Sequence, residues 1–308
     1  MENTRAKTTR NSLILLLTAT IWGMAFVSQS KGMDYMHPFT FNGVRSLIGA
    51  TGILVYILIS RKIAGDKAAK LDWKLNVRAG LLCGIFLTIA STLQQFGIKY
   101  TSVGKAGFIT TLYIIFVPMF GIFLKKKVAP VVWAAAGMAA VGMYLLCMTE
   151  SLRLGAGDIM VFLCAIAFAI QIMTVDHYAA RIDGAVVSCI QFTVCGVVCC
   201  IGALIWGQPT FGQIQEGLGA LLYAGVLSCG VGYTLQIVGQ KGLNPTVAAL
   251  IMSLESVIAT ISGWIAYKIG FLSTDQTLTP RQIAGCIIVF AAVILVQLPP
   301  EWFRFGKK

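Results

Sequence analysis

The chain has 308 residues, of which 57% are hydrophobic and only 12% are charged, whereas a soluble globular protein carries roughly 25% charged residues. This composition excludes an ordinary soluble domain, because a water-exposed fold of this length cannot bury so much apolar surface. The net charge of +12 does not indicate nucleic-acid binding, because the basic residues cluster in short segments between apolar runs, as membrane topology requires.

Apolar segments follow one another along the chain, and each is long enough to cross a bilayer as a helix. The predicted spans are 12–30, 39–60, 77–97, 102–124, 128–147, 157–175, 185–206, 217–239, 246–267 and 282–298. The first span follows a basic segment, as in a signal peptide, but nine more apolar runs come after it, so we interpret it as a retained span. The sequence therefore predicts an all-α integral membrane protein with ten transmembrane helices.

The basic residues predict the orientation of these spans. If the N-terminus is cytoplasmic, most of the 24 Lys and Arg residues fall on the cytoplasmic side, above all in the loop 61–78 and in the run Lys125–Lys127. Under the positive-inside rule, both termini then lie in the cytoplasm. We expect the protein in a cell membrane, the inner or plasma membrane of a bacterium.

The chain also repeats itself at a constant offset of 142 residues. The pattern TLQxxGxK occurs at 92–99 and again at 234–241, and Gln29 corresponds to Gln171. The repeat predicts two domains, 12–147 and 157–298, of five helices each. Because five is odd, the second copy enters the membrane from the opposite side, which is an inverted-topology transporter architecture. A duplicated scaffold without transport is the alternative.

Three segments carry recognisable motifs. They are ATIWGMAF (Ala19–Phe26) in the first span, KYTSVGKAGFITTLYIIFVPMF (Lys99–Phe120) at the third and fourth spans, and SLESVIATISGWI (Ser253–Ile265) in the ninth span. In these segments the chain resembles the EamA family of the drug/metabolite transporter superfamily, and the resemblance extends over about 12–298. It implies ten helices in two five-helix repeats, with the first, third, fourth, sixth, eighth and ninth at the centre, and transport of metabolites such as amino acids.

The chain departs from the family pattern at two places. Ser256 stands where the family usually has a proline, so a proline kink in the ninth span is not expected. The first half has the Trp-Gly pair Trp22 and Gly23, which the family shows in its first helix, whereas the second half has Cys164 and Ala165 at the equivalent positions. Substrates vary widely within a fold, so the resemblance does not name one.

Glu255 is the one carboxylate, among 12 in the chain, that falls near the middle of a predicted span. A charge there costs about 2.5–3.5 kcal/mol on insertion scales, so we expect its carboxyl group to be protonated, paired or exposed to a water-filled cavity. This makes Glu255 the candidate for proton coupling. The alternative is a neutral carboxyl group that bonds two helices together. Tyr113 is the residue of the first repeat that corresponds to Glu255. We expect the two residues to face each other across the pseudo-two-fold axis that relates the two repeats.

Other polar and aromatic residues inside the spans are candidates for a substrate cavity. They are Trp22, Gln94, Lys105, Tyr113, Gln171, Tyr233 and Gln236, together with Glu255. For the glutamines the alternative is interhelical hydrogen bonding, and for Trp22 it is plain packing. Lys105 and Arg45 lie near span ends, where each could bind an anion or extend to the interface. For Arg45 we favour the structural role.

These features together favour a secondary transporter of small metabolites, such as amino acids, related compounds or drugs, that works by alternating access. Proton coupling through Glu255 is a further option. The alternatives are a lipid carrier or flippase and, less favoured, a membrane enzyme. We expect no enzyme activity, no cofactor and no metal, because no Walker loop or metal-binding motif occurs and the nine cysteines fall inside apolar runs. The expected partners are a small-molecule substrate and the lipid bilayer, without nucleic acid.

Overall fold

The computed structural model describes residues 2–65, 71–124, 130–147, 155–273 and 275–297. The run Lys125–Lys127, part of the loop 61–78 and the C-terminus, which carry much of the charge argument, lie outside these ranges. Within the described residues every regular element is a helix. This confirms the all-helical fold class that the composition predicts.

The helices follow the predicted spans in chain order. The first half contains α1 (Glu2–Gly32), α2 (Pro38–Ala64), α3 (Trp73–Ile98), α4 (Val103–Thr111), α5 (Tyr113–Phe123) and α6 (Pro130–Cys147). The second half contains α7 (Ala156–Tyr178), α8 (Gly184–Gly202), α9 (Phe211–Glu216), α10 (Leu218–Leu222), α11 (Tyr233–Gln240), α12 (Pro245–Met252), α13 (Leu254–Lys268) and α14 (Pro280–Gln297). π-Helical turns extend α8 over Ala203–Gly207 and join α10 to α11 over Tyr223–Gly232.

Eight helical segments of the described residues are long and apolar enough to cross a membrane. They match the predicted spans one to four and six to nine. The apolar parts of α6 and α14, Pro130–Gly142 and Pro280–Leu295, are shorter. Large apolar side chains such as Leu54, Ile59 and Leu204 are exposed on the outer faces, which suits contact with lipid rather than water. The protein is therefore an integral membrane protein.

The fourth and ninth spans are each interrupted near their middle. Leu112 forms a turn between α4 and α5, and Ser253 forms a turn between α12 and α13. The ninth span thus breaks without a proline at Ser256, whose hydroxyl instead donates to the carbonyl of Ser253 at 2.8 Å. Both breaks fall at nearly equivalent positions of the two repeats. Tyr113 and Glu255, which follow the two breaks, are both buried in the interior of the protein.

The helices that carry these breaks also begin at equivalent positions. Ser102 caps α4 by accepting a hydrogen bond from the amide of Lys105, and Asn244 caps α12 by accepting one from the amide of Thr246. Both are residue types that satisfy the free amides at a helix start, and they are 142 residues apart in the sequence. The duplicated sequence therefore produces the same local structure twice.

Helix packing is unchanged when the two halves are exchanged. The second and seventh spans (α2 and α8) pack on each other, as do the fifth and tenth (α6 and α14). The third span packs on the sixth (α3 on α7), and its exchanged pair, the first with the eighth (α1 with α11), is also in contact. The first span packs on α13, and correspondingly the sixth packs on α4 and α5. The interior of the protein is thus formed where the two halves meet.

Candidate functional site: a cavity between the two halves

A cavity lies at the centre of the helix assembly. It is lined by Trp22, Phe26, Gln29, Arg45, Ser46, Leu87, Ser91, Gln94, Thr110, Tyr113, Phe168, Gln171, Ile172, Phe192, Ser228, Cys229, Tyr233, Gln236 and Glu255. The lining includes seven of the eight residues that the sequence selects as site candidates. It also includes residues of α2 and α8, which the expected set of central helices leaves out.

Most of the lining consists of residue pairs related by the repeat. Six pairs separated by 142 residues face the cavity, namely Phe26 and Phe168, Gln29 and Gln171, Leu87 and Cys229, Ser91 and Tyr233, Gln94 and Gln236, and Tyr113 and Glu255. Equivalent residues of two related halves converge in this way only where the halves face each other. The cavity therefore lies at the repeat interface.

Glu255 and Tyr113 are in direct contact. The Tyr113 hydroxyl donates a hydrogen bond to Oε1 of Glu255 over 3.1 Å. Glu255 is 3% exposed and Tyr113 is 2% exposed, so water does not compete for this bond. Tyr113 is the first residue of α5, and Glu255 is the second residue of α13, so each is positioned by a helix break. The start of α13 also places the positive end of a helix dipole near the carboxyl group.

The glycine of the Trp-Gly pair brings α1 close to this site. A Cβ atom on Gly23 would lie 2.6 Å from Cβ of Ile258 and 2.8 Å from the carbonyl oxygen of Glu255. Such distances are too short for any side chain, so glycine at this position permits the contact between α1 and α13. The motif thus serves the packing behind Glu255, while its neighbour Trp22 faces the cavity.

The glutamines form a second polar group in the lining. Gln171 and Gln236 exchange amide hydrogen bonds, of 3.5 Å from Gln171 Nε2 to Gln236 Oε1 and of 3.2 Å in the other direction. Gln94 donates to the hydroxyl of Thr110 at 3.2 Å instead. All three glutamines thus form hydrogen bonds between helices, which is the alternative that the sequence analysis gives to a role in the cavity. The two roles are compatible, because all three residues also lie in the cavity wall.

Aromatic rings form one wall of the cavity. The rings of Trp22 and Tyr233 have centroids 4.5 Å apart, and Phe192 packs edge-on against Tyr233 at 5.0 Å. Gly232 leaves room for this arrangement, because a Cβ atom there would lie 2.7 Å from Nε1 of Trp22. This wall offers flat apolar surface beside the polar groups, which is the usual character of a small-molecule site.

Three buried polar atoms of the lining have no hydrogen-bond partner in the protein. They are Nε1 of Trp22, Oε1 of Gln29 and Nε of Arg45. Buried polar groups are nearly always paired, so these two donors and one acceptor are available to a ligand. Gln29 and Arg45 line the cavity but are not among the cavity candidates that the sequence analysis selects. Gln29 could have been found as the repeat partner of Gln171. For Arg45 the sequence analysis raises anion binding but favours a structural role, and its repeat equivalent, Val187, gives no further signal.

Lys105 is the one candidate that does not line the cavity. Its ammonium group lies 2.6 Å from Oδ2 of Asp158, between the starts of α4 and α7. Asp158 is 4% exposed and also accepts hydrogen bonds from the Thr101 hydroxyl and the Gly155 amide. Lys105 thus forms an ion pair between the starts of two helices and does not line the cavity, while the neighbouring Gly104 and Gly107 pack against α13.

Comparison with known proteins agrees with this architecture. The model of the EamA-like transporter family matches residues 10–148 and again 155–298. An uncharacterized transporter of Archaeoglobus fulgidus is 27% identical over 290 residues, which cover 92% of this chain and 84% of the relative. The uncharacterized transporter YwfM of Bacillus subtilis is 24% identical over 295 residues, 94% of each chain.

A solved crystal structure shares the fold. It superposes with a TM-score of 0.74 at 16% sequence identity and covers 96% of this chain and 99% of the other. The two family matches, the related transporters and the apolar helices lead to the same assignment. The chain belongs to the EamA-like transporter family of the drug/metabolite transporter superfamily, and it is a membrane transporter.

Proposed function

We propose that this protein is a secondary transporter, which moves small polar metabolites such as amino acids, related compounds or drugs by alternating access. The ten spans form two inverted five-helix repeats, 12–147 and 157–298, with both termini in the cytoplasm. The two halves rock about the central cavity and open it to one side of the membrane at a time. Energy comes from a proton gradient, and Glu255 is the group that carries the proton.

The observation that carries this proposal is the Tyr113–Glu255 pair. The two residues occupy equivalent positions of the two halves and meet inside the cavity at 3.1 Å. A contact across the repeat interface is made or broken when the halves move relative to each other. The protonation of Glu255 is therefore tied to the state of the cavity.

The coupling follows from desolvation. In a closed cavity the charged carboxylate is disfavoured, and the protonated form is retained beside the Tyr113 hydroxyl. When the cavity opens, water stabilises the carboxylate and the proton leaves. A proton gradient then favours one state over the other to the extent that the two states bind the proton differently.

Broken helices supply the movable elements. The breaks at Leu112 and Ser253 lie next to Tyr113 and Glu255, and secondary transporters build their midplane sites from such discontinuous helices. The half-helices α5 and α13 can change their tilt about these turns without disturbing the hydrogen bonds of a continuous helix. Movement and protonation therefore involve the same residues.

Proteoliposomes without ATP test the proposal. Vesicles loaded with a pH-sensitive dye receive an imposed pH gradient, and then either a mixture of the standard amino acids or the cationic dye ethidium is added outside. We expect proton flux that depends on the added compound and reverses direction when the gradient is reversed. Vesicles that contain Glu216→Gln, which alters an exposed carboxylate outside the cavity, should behave as the native protein does.

The outcomes separate the candidate functions. Compound-dependent flux with no response to the gradient would keep the transporter and remove proton coupling. Movement of a fluorescent phospholipid between leaflets, without flux of either solute class, would contradict solute transport and indicate a flippase.

A further inference from the structure

Arg45 is a buried cation inside the cavity without an anionic partner. It is 5% exposed, it lines the cavity, and its Nε atom has no hydrogen-bond partner. In the part of the chain that the structure describes, no carboxylate forms an ion pair with it; the ion pairs found there join Lys31 to Asp34 and Lys105 to Asp158. Its close neighbour is the ring of Phe41, whose centroid lies 5.4 Å from Cζ.

This arrangement is costly unless something else completes it. An ionised side chain that leaves water loses several kcal/mol of solvation, which only pairing and hydrogen bonds recover. The ring of Phe41 recovers part of this through a cation–π interaction, but it offers no acceptor to the buried Nε donor.

Glu255 does not fill this role. It lines the same cavity, yet it is bonded to Tyr113 and forms no ion pair with Arg45. The repeat also shows that Arg45 is not needed by the framework, because the equivalent residue is Val187, which is fully buried in the second half. The cation is therefore an addition to the cavity rather than a part of the duplicated scaffold.

We propose that Arg45 is a substrate-binding residue, which binds a carboxylate group of the transported molecule. The inference rests on the proposed transporter function and assigns the substrate class, organic acids including those that also carry an amine. Guanidinium and carboxylate groups match each other in a planar, two-bond geometry. Phe41 is a positioning residue, since its ring lies on the same helix, α2, with its centroid 5.4 Å from Cζ of Arg45.

Matched acids and amides test the assignment by binding alone. The purified full-length protein is heated in detergent with straight-chain carboxylic acids, with the standard amino acids, and with the amide of each compound. We expect at least one acid to stabilise the protein in a saturable way and its amide to bind at least tenfold more weakly, the factor expected from loss of one charge-assisted hydrogen bond. Sodium chloride and inorganic phosphate are run in parallel to separate organic acids from inorganic anions.

Variants locate the effect. Arg45→Gln should weaken binding of the acid at least tenfold, and Arg45→Lys should bind it more weakly than the native protein but better than Arg45→Gln. Lys99→Gln removes an exposed cation outside the cavity and should leave the affinity unchanged. If Arg45→Gln does not fold, the acid and amide contrast in the native protein and in Arg45→Lys decides the matter.

Three results would overturn the assignment: no acid stabilises the protein more than its amide does, Arg45→Gln binds the acid as tightly as the native protein, or only chloride or phosphate binds. Failure of the transporter proposal looks different. Saturable acid binding without flux of any added compound would contradict the transport mechanism and leave the carboxylate site intact.

Discussion

The first half of the chain places Tyr113 after its mid-span break, and the second half places Glu255 at the equivalent position, 142 residues later. The same helix geometry therefore delivers a hydroxyl from one side and a carboxyl from the other. At Gln29 and Gln171 the residue is the same in both halves but its contacts differ. Gln171 forms an interhelical pair with Gln236, whereas Oε1 of Gln29 has no hydrogen-bond partner.

The two halves also differ in charge, because some charged residues of one half have an apolar residue at the equivalent position of the other half. Arg45 has Val187 as its equivalent, and the ion pair of Lys105 with Asp158 falls on the equivalents Val247 and Leu16. The duplicated helix geometry thus supplies the shape of the cavity, and residues that differ between the two halves, such as Arg45 and Glu255, supply its ionisable groups. Substitutions at these residues and at the packing contacts should therefore have distinct effects.

Removal of the bond across the repeat interface should have the largest effect on transport. Tyr113→Phe keeps the ring but removes the donor to Glu255, and a hydrogen bond to a protonated carboxyl group contributes about 0.5–1.5 kcal/mol. We expect gradient-driven uptake in proteoliposomes to fall by about twofold to tenfold. Tyr56→Phe, on an exposed face of α2, is the matched control. Equal uptake by native protein and Tyr113→Phe would show that the bond has no role in coupling.

Loss of the Lys105–Asp158 pair should lower stability rather than change the cavity. Lys105→Met leaves the buried Asp158 carboxylate without its cation, and we expect the free energy of unfolding to fall by about 2–3 kcal/mol, less than for a fully buried pair because Lys105 is partly exposed. Thermal unfolding in detergent measures this.

The second ion pair of the described residues provides the control for Lys105→Met. Lys31 and Asp34 are more exposed, so Lys31→Met should cost about 1 kcal/mol or less. Equal losses from the two substitutions would contradict the buried character of the Asp158 site.

The two halves also differ in the size of one residue, because Gly23 of the Trp-Gly pair has Ala165 as its equivalent. Gly23→Ala forces α1 away from Ile258 and from the backbone of Glu255, and overpacking of this kind costs about 1–3 kcal/mol. Gly52→Ala, where nothing lies within 4 Å of the added Cβ, should be neutral or slightly stabilising. Thermal unfolding in detergent measures both variants. Equal stability of Gly23→Ala and Gly52→Ala would contradict the close contact between α1 and α13 at Gly23.

The smallest expected effect concerns the glutamines. Gln171→Leu leaves Gln236 without its amide partner and should cost about 1 kcal/mol, the usual size for a hydrogen bond between membrane helices. Gln29→Leu removes an oxygen that has no partner and should be close to neutral in stability. A larger loss from Gln29→Leu than from Gln171→Leu would mean that the two halves do not differ as described.

Much of the architecture was predictable because the bilayer imposes it. Hydrophobic length located the eight long spans, and the 142-residue offset predicted that Tyr113 and Glu255 would face each other. The two remaining apolar helices, in α6 and α14, are shorter than the others in the described residues. The proposal of ten spans therefore rests on the repeat as well as on length.

The site was predictable in part, for a physical reason. A polar residue inside an apolar span faces the protein interior, and this rule found Gln94, Gln171, Gln236 and Glu255. The rule does not apply near span ends, where a long side chain can reach the interface. Arg45 and Lys105 both lie there. Only the packing shows that Arg45 faces the cavity and that Lys105 contacts Asp158.

Glu255→Gln tests the central claim most directly, since it keeps the shape and hydrogen bonding of the side chain but cannot exchange a proton. Two rates are measured on the same vesicles, accumulation driven by a pH gradient and one-for-one exchange of labelled for unlabelled substrate. We predict that Glu255→Gln folds, loses accumulation and retains exchange, while Glu216→Gln retains both. Undiminished accumulation by Glu255→Gln would contradict the account and leave Glu255 as a structural residue.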